Sequence, residues 1–102
     1  VAHQEVVLGA LGQTLTIRVQ DRFDFNVHRD LRQAYEAAGK RYGNYVLDLR
    51  GTTYMDSAAL GMLLQLREHA GGKRQAVRLT NAQPVIRDIL AVANFDQLFT
   101  ID

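Results

Sequence analysis

Three aspartates, Asp24, Asp48 and Asp56, and one serine, Ser57, are the side chains of this sequence best suited to chemistry. Carboxylates gathered at one place bind Mg²⁺ or trade protons with a substrate. At the ends of regular elements the same residues have a plainer use: Asp56 caps a helix, Asp24 orders a loop and Asp48 terminates a strand. The plainer use is the stronger reading, because neither a cofactor motif nor a well-placed base accompanies them. Histidine, a common metal ligand and proton carrier, occurs at His3, His28 and His69, with no two at metal-ligand spacing. His28 and His69 fall on expected helices and read as solvated surface side chains. Phosphate-cradling, dinucleotide-binding, zinc-protease and nucleophile-elbow motifs are all missing from the sequence. It has no cysteine either, so thiolate metal sites, disulfides and thiol nucleophiles are excluded. A reducing compartment fits that composition. The enzyme reading is weak, and no cofactor or metal is expected.

Ser57 is the only serine in 102 residues, although the type is normally common. It lies in Tyr54-Met55-Asp56-Ser57-Ala58-Ala59-Leu60-Gly61, which follows an apolar strand and opens a helical pattern. A helix start carries unpaired N–H groups and the positive end of the macrodipole, so it favours negative charge. The plain reading is that Asp56 or Ser57 is an N-cap worth about 1 kcal/mol. Helical spacing adds a second reading. Ala59, Leu63, Leu66 and Ala70 form one stripe, with Leu60 and Met62 beside it, and this stripe is the expected core face. Ser57, Gly61, Leu64 and Glu68 share the opposite face. A hydroxyl, a glycine and an exposed leucine side by side suit close approach by another protein. A single exposed leucine is nevertheless common on any protein.

The elements that position these side chains are regularly punctuated. Residues 5–10 and 14–20 read as strands joined by a turn at Leu11-Gly12-Gln13. In the second, Leu15, Ile17 and Val19 alternate with Thr14, Thr16, Arg18 and Gln20. Asn26 is the expected N-cap of a helix carrying Val27, Leu31, Ala34, Tyr35 and Ala38 on one stripe, with Gly39 as its stop. Residues 45–49 form the next strand, and 57–70 a helix ended by Gly71-Gly72. Residues 76–80 form a strand, Pro84 opens a helix to 93 that Asn94 closes, and 98–101 are the last strand. This alternation predicts an α/β fold with a mixed, mainly parallel sheet of about five strands. Sheets covered on both faces have continuously apolar strands. Here Arg18, Asp48 and Arg78 interrupt their strands on one side only, so the helices are expected mainly on one face, with the other more open.

The length suits a single domain over 1–102, able to bury roughly two-thirds of its unfolded surface. Apolar residues at 47% and charged residues at 23% are ordinary globular values. The formal charge is +1, and no basic run is longer than Lys40-Arg41 or Lys73-Arg74, which argues against nucleic-acid binding. No apolar run approaches the roughly 20 residues that cross a bilayer, and no signal peptide is visible, so membrane insertion is not expected. The chain starts at Val1 rather than Met, which is compatible with trimming or with a longer parent.

The residues of the Ser57 segment and its surroundings resemble the STAS domain of anti-sigma factor antagonists. Val46-Leu47-Asp48-Leu49, Met55-Asp56-Ser57, Leu60-Gly61 and Leu63-Leu64 are similar to that family's apolar strand ending near Asp, followed by Asp-Ser-(Ser/Thr)-Gly-Leu-Gly. Phe23-Asp24 looks like the family's G-x-L-D turn. Residues 76–80, the Pro84 helix and Leu98-Phe99-Thr100-Ile101 follow in the family's order and spacing, so the likeness runs through nearly the whole chain. The resemblance implies a STAS-type fold and a cytoplasmic bacterial partner-switching protein that is not an enzyme. Its unphosphorylated form would bind an anti-sigma factor, often itself an ATP-dependent serine kinase, and free a sigma factor. Phosphorylation would break the complex and a phosphatase would restore it. Carried over, Ser57 is the phospho-acceptor, Asp56 its neighbour in the motif and Asp24 the loop acid beside it. The implied partner surface is Asp24, Asp56, Ser57, Ala58, Gly61, Leu64 and Glu68. ATP and Mg²⁺ would belong to the kinase, and self-association stays open.

Two departures mark a divergent branch. Ala58-Ala59 stands where the family usually has Ser/Thr-Gly, and the Ala59 β-carbon is expected to restrict close backbone contact with a partner. Asp21 stands where the family usually has Gly, at a position where Asp tolerates positive φ better than most residues. The alanine pair lends some support to a second reading. This is a STAS subunit of a lipid-transport ABC system, or a STAS domain of an anion transporter, binding partners without a phosphorylation cycle.

Overall fold

The computed structural model describes residues 6–37 and 42–102. Strands β1 (Val6–Leu11) and β2 (Thr14–Val19) pair antiparallel across a turn whose Gly12 sits at φ +59°. A short strand β3 (Asp21–Phe23) leads to helix α1 (His28–Glu36). Strands β4 (Asn44–Asp48) and β5 (Thr52–Met55) precede helix α2 (Ser57–His69). Strand β6 (Val77–Thr80), helix α3 (Pro84–Val92) and strand β7 (Thr100–Ile101) complete the order. The main sheet runs β1-β2-β4-β6-β7, parallel at every pairing except β1–β2. This is the mixed, mainly parallel five-stranded sheet that the sequence predicts.

The alternation within strands decides which face the helices cover. Leu15, Ile17 and Val19 of β2, Tyr45 and Leu47 of β4, and Val77 and Leu79 of β6 are all buried. They form one core with Leu31 and Tyr35 of α1, Ala59, Met62, Leu63 and Leu66 of α2, and Ile86 and Leu90 of α3. The intervening residues stay wet: Arg18 and Arg78 are exposed and Asp48 is half-buried. Arg18 lies opposite Asp48 in the parallel register and pairs with it at 3.3 Å, while Arg78 pairs with Asp102 at 3.2 Å. Solvated pairs of this kind contribute at most about 1 kcal/mol each.

Several local features differ from the sequence reading. Strands β3 and β5 form a separate two-stranded parallel ribbon, joined Asp21↔Thr52, Arg22↔Tyr54 and Phe23↔Met55, with a register shift after Asp21. Neither strand shows a period-2 pattern. The shift breaks the alternation, and β5 buries only its first and last residues. Asp21 takes φ +60°, the conformation its side chain tolerates, and its N–H donates to the Gly51 carbonyl at 2.8 Å. Asn26 is not the helix cap. Asp24 accepts the Asn26 N–H at 3.0 Å and starts a 3₁₀ turn, Phe25–Val27, that runs into α1. The carboxylate two residues upstream reaches the free N–H first, and Asn26 becomes part of the turn.

The last strand is only Thr100–Ile101, because Asn94 at φ +61° starts another 3₁₀ turn over Phe95–Gln97. His69 is not solvated but half-buried, with its ring centroid 4.8 Å from Tyr35 and 5.8 Å from Tyr45. Burial raises both of these phenols above the ordinary tyrosine range. His28 is also half-buried and stacks on Phe25 at 5.3 Å. His3, Glu5, Ala38, Gly39 and Lys40-Arg41 lie outside the described residues.

Candidate functional site

The ribbon β3–β5 builds the site. Phe23 and Met55 are paired and buried, so the chain leaves the ribbon at Asp24 and Asp56 side by side. Asp56 has extended backbone, φ −122° and ψ −174°, and its Oδ1 accepts the Ala59 N–H at 3.0 Å. Asp56 is therefore the N-cap of α2, a role worth about 1 kcal/mol. This resolves the choice between Asp56 and Ser57. The serine stands at the first helical position, exposed and not used as the cap.

The two faces of α2 separate as the spacing predicts. Ala59, Met62, Leu63 and Leu66 are buried, while Ser57, Gly61, Leu64 and Glu68 are exposed. Leu64 is 40% exposed, and a β-carbon built on Gly61 would meet nothing within 4 Å. The glycine is therefore not required by packing within the chain, and it leaves open backbone next to the leucine. Ala58 is half-buried against the core. Ala59 is wholly buried, which overturns the expectation that its β-carbon obstructs a partner. That carbon points into the core face of α2.

Asp24 is buried, at 8% exposure, and both carboxylate oxygens are engaged. Oδ1 accepts the Asn26 N–H, and Oδ2 accepts the Arg22 Nε–H at 3.1 Å. The Asn26 backbone hydrogen bond, followed by the Arg22 guanidinium, holds this carboxyl below the usual aspartate range. The carboxylate therefore orders the turn beneath the site. Around it are three residues that sequence reasoning did not single out. Arg22 lies over the Tyr54 ring at 3.9 Å, Tyr54 is 39% exposed, and Phe25 is 70% exposed. Arg22 and Tyr54 in short unpatterned strands, and Phe25 in the 3₁₀ turn after the first, carry no periodic signal. Only the β3–β5 pairing brings Arg22 and Tyr54 together at the end of the ribbon that leads to Ser57.

Asp48 is held apart from this site, on the main sheet. Its carboxylate accepts the Arg50 N–H at 3.0 Å and an Asn81 Nδ2–H at 3.2 Å, beside Arg18. Burial pushes its pKa up, but these hydrogen bonds and the neighbouring arginines outweigh burial and leave it below the ordinary value. Asp48 lines a polar depression of about 400 Å³ with Arg18, Gln20, Arg50, Gly51 and Asn81. The three aspartates thus keep their plainer roles of cap, turn and strand end. Among the described residues, no group of three or more His, Asp or Glu side chains is placed to hold a metal ion. No described helix is long and apolar enough to cross a membrane.

The sequence profile of the family described as "Mlab, STAS domain" matches residues 6–100. A STAS-domain containing protein of Pseudomonas aeruginosa (strain UCBPP-PA14) is 56% identical over 90 residues, covering 88% of this chain and 89% of that protein. Among solved structures, a putative anti-sigma factor antagonist from Thermotoga maritima superposes with a TM-score of 0.81 at 15% identity, covering 94% of this chain and 84% of that one. An anti-sigma factor antagonist from Mycobacterium paratuberculosis gives 0.80 at 20% identity, covering 94% and 82%. The anti-sigma factor antagonist SpoIIAA in its unphosphorylated form gives 0.73 at 17% identity, covering 95% and 86%. At these identities the solved structures establish the shared fold.

Proposed function

This chain belongs to the STAS domain family, and we propose that within it the protein is an anti-sigma factor antagonist that switches partners through Ser57. Unmodified, it binds an anti-sigma factor in the bacterial cytoplasm and frees a sigma factor. A kinase, in such systems often the anti-sigma factor itself, transfers the γ-phosphoryl group of ATP to the Ser57 hydroxyl. The O–H bond is replaced by O–P, ADP leaves, and a phosphatase later hydrolyses the ester. The chain is regulator and substrate, while ATP and Mg²⁺ reside in the kinase.

The observation that carries this reading is the exposed Ser57 at the first position of α2, with Asp56 doing the capping. Gly61, Leu64 and Glu68 continue its face. A phosphate there adds about −1.5 to −2 charge. The helix start favours that charge by roughly 0.3–1 kcal/mol, so the fold survives it. An interface that has to desolvate the same patch, with Asp56 in it and Asp24 beneath, does not. SpoIIAA, which shares the fold, is known in both an unphosphorylated and a phosphorylated form, in keeping with a modification the fold tolerates.

A second reading has support of its own. The family description carries the name Mlab, and Ala58 replaces a hydroxyl residue of the antagonist motif. In that reading the chain is an accessory subunit of a lipid-transport ABC system. One experiment separates the two: affinity capture from the source cell with Ser57→Ala and Ser57→Asp as baits. An anti-sigma factor held by Ser57→Ala and lost by Ser57→Asp is the expected result. An ABC ATPase held equally by both baits would establish the second reading instead.

A further inference from the structure

We propose that Arg22 is the cation that receives a phosphate on Ser57, exchanging Asp24 for the phosphoserine when the site is modified. This rests on reading Ser57 as the phospho-acceptor and adds the side chain that meets the charge of the phosphate. Arg22 is the register partner of Tyr54, and its guanidinium lies 3.9 Å over that ring. Its Nε–H donates to Asp24 Oδ2 at 3.1 Å, so the side chain runs forward toward the end of the ribbon. The side chain is 61% exposed, and among the described residues its terminal nitrogens have no acceptor. An arginine has five N–H donors, so four remain available.

Asp24 and Asp56 directly follow the paired Phe23 and Met55. Neighbouring strands lie roughly 5 Å apart. A guanidinium anchored at Asp24 is thus about one strand spacing from the chain that starts α2, and Ser57 is its first residue. The planar fork of arginine matches phosphate oxygens two at a time, whereas here it gives the carboxylate a single hydrogen bond.

The acidic side chains beside Ser57 give such a cation a use. A phosphate at Ser57 stands next to Asp56 on its own chain, with Asp24 leaving the paired strand beside it. On the favourable side stands the N-terminus of α2. Arg22 is the permanent cation already held at the ribbon's end. Moving it to the phosphate relieves repulsion at the helix start. It also uncovers Tyr54 and releases one hydrogen bond to Asp24, so the surface seen by a partner changes in shape as well as in charge.

The test uses the full chain with phosphoserine placed at position 57 during translation, so that neither kinase nor partner is involved. The second phosphate pKa, ordinarily about 6, is read by ³¹P NMR titration in the parent, in Arg22→Gln and in Arg78→Gln. Arg78 is an exposed arginine on β6, away from the ribbon. A paired cation favours the dianion and lowers this pKa, so Arg22→Gln is expected to raise it by roughly one unit, and Arg78→Gln to leave it in place. An unchanged value in Arg22→Gln, or an equal rise in Arg78→Gln, overturns the pairing. Failure here leaves the partner switch standing. Failure to capture an anti-sigma factor leaves this titration untouched.

Discussion

Asp24 shows how one buried carboxylate can order a turn and hold a neighbouring cation. Its carboxylate is buried, accepts the Asn26 N–H and holds Arg22. Both contacts stabilise the ionised form, so its folded pKa lies below the ordinary value. The unfolded chain then takes up the proton first as pH falls. The stability gained is complete above about pH 4 and is lost as pH falls through the folded pKa. The stability difference between the parent and Asp24→Asn, measured by urea unfolding, should therefore be greatest at neutral pH and shrink below about pH 4. A difference that stayed constant down to about pH 3 would contradict this assignment.

At this scale the sequence was legible where a residue type has few uses. The lone serine and the capping aspartate could be named from it. Arg22, Tyr54 and Phe25 could not, because nothing in two short strands and the 3₁₀ turn after the first distinguishes them from ordinary surface residues. The Ala59 expectation failed for a related reason: the motif position was read for its partner-facing backbone, while its helical phase placed it in the core.

Helix α2 presents one face to the core and the other to solvent. Its inner face carries Leu63, wholly buried, and its outer face carries Leu64, 40% exposed, one residue away. Leu63→Ala should cost roughly 2–5 kcal/mol in chemical denaturation. Leu64→Ala should stay within about 0.5 kcal/mol and act on partner capture instead. Equal losses of stability from the two would mean that the outer face is part of the packing. This helix was readable in advance because thirteen residues give enough turns for a 3.6-residue period to show. The β3–β5 ribbon was not, since three- and four-residue strands with a register shift leave no alternation to count. The start of α1 was misplaced because two neighbouring residues, Asp24 and Asn26, are both good caps, and choosing between them requires the turn geometry.

Over the whole molecule, the layout follows from where charge was permitted. The described strands of the main sheet carry arginine and aspartate on one side only, and helices α1, α2 and α3 contribute to the core on the other. That division was legible from Arg18, Asp48 and Arg78, whose types are incompatible with a sheet covered on both faces. It leaves the start of α2 at the end of the β3–β5 ribbon, capped by Asp56 and not by Ser57. In this arrangement the phosphorylation proposed for Ser57 would act on binding and leave the fold in place.

Calorimetric titration of the captured anti-sigma factor tests that claim most directly, with the unmodified chain and the chain carrying phosphoserine at 57 compared and both melting temperatures recorded. We predict binding weakened about a thousandfold, equivalent to about 4 kcal/mol, with nearly unchanged melting temperatures. Equal affinities, or binding lost only because the modified chain unfolds, would contradict the account.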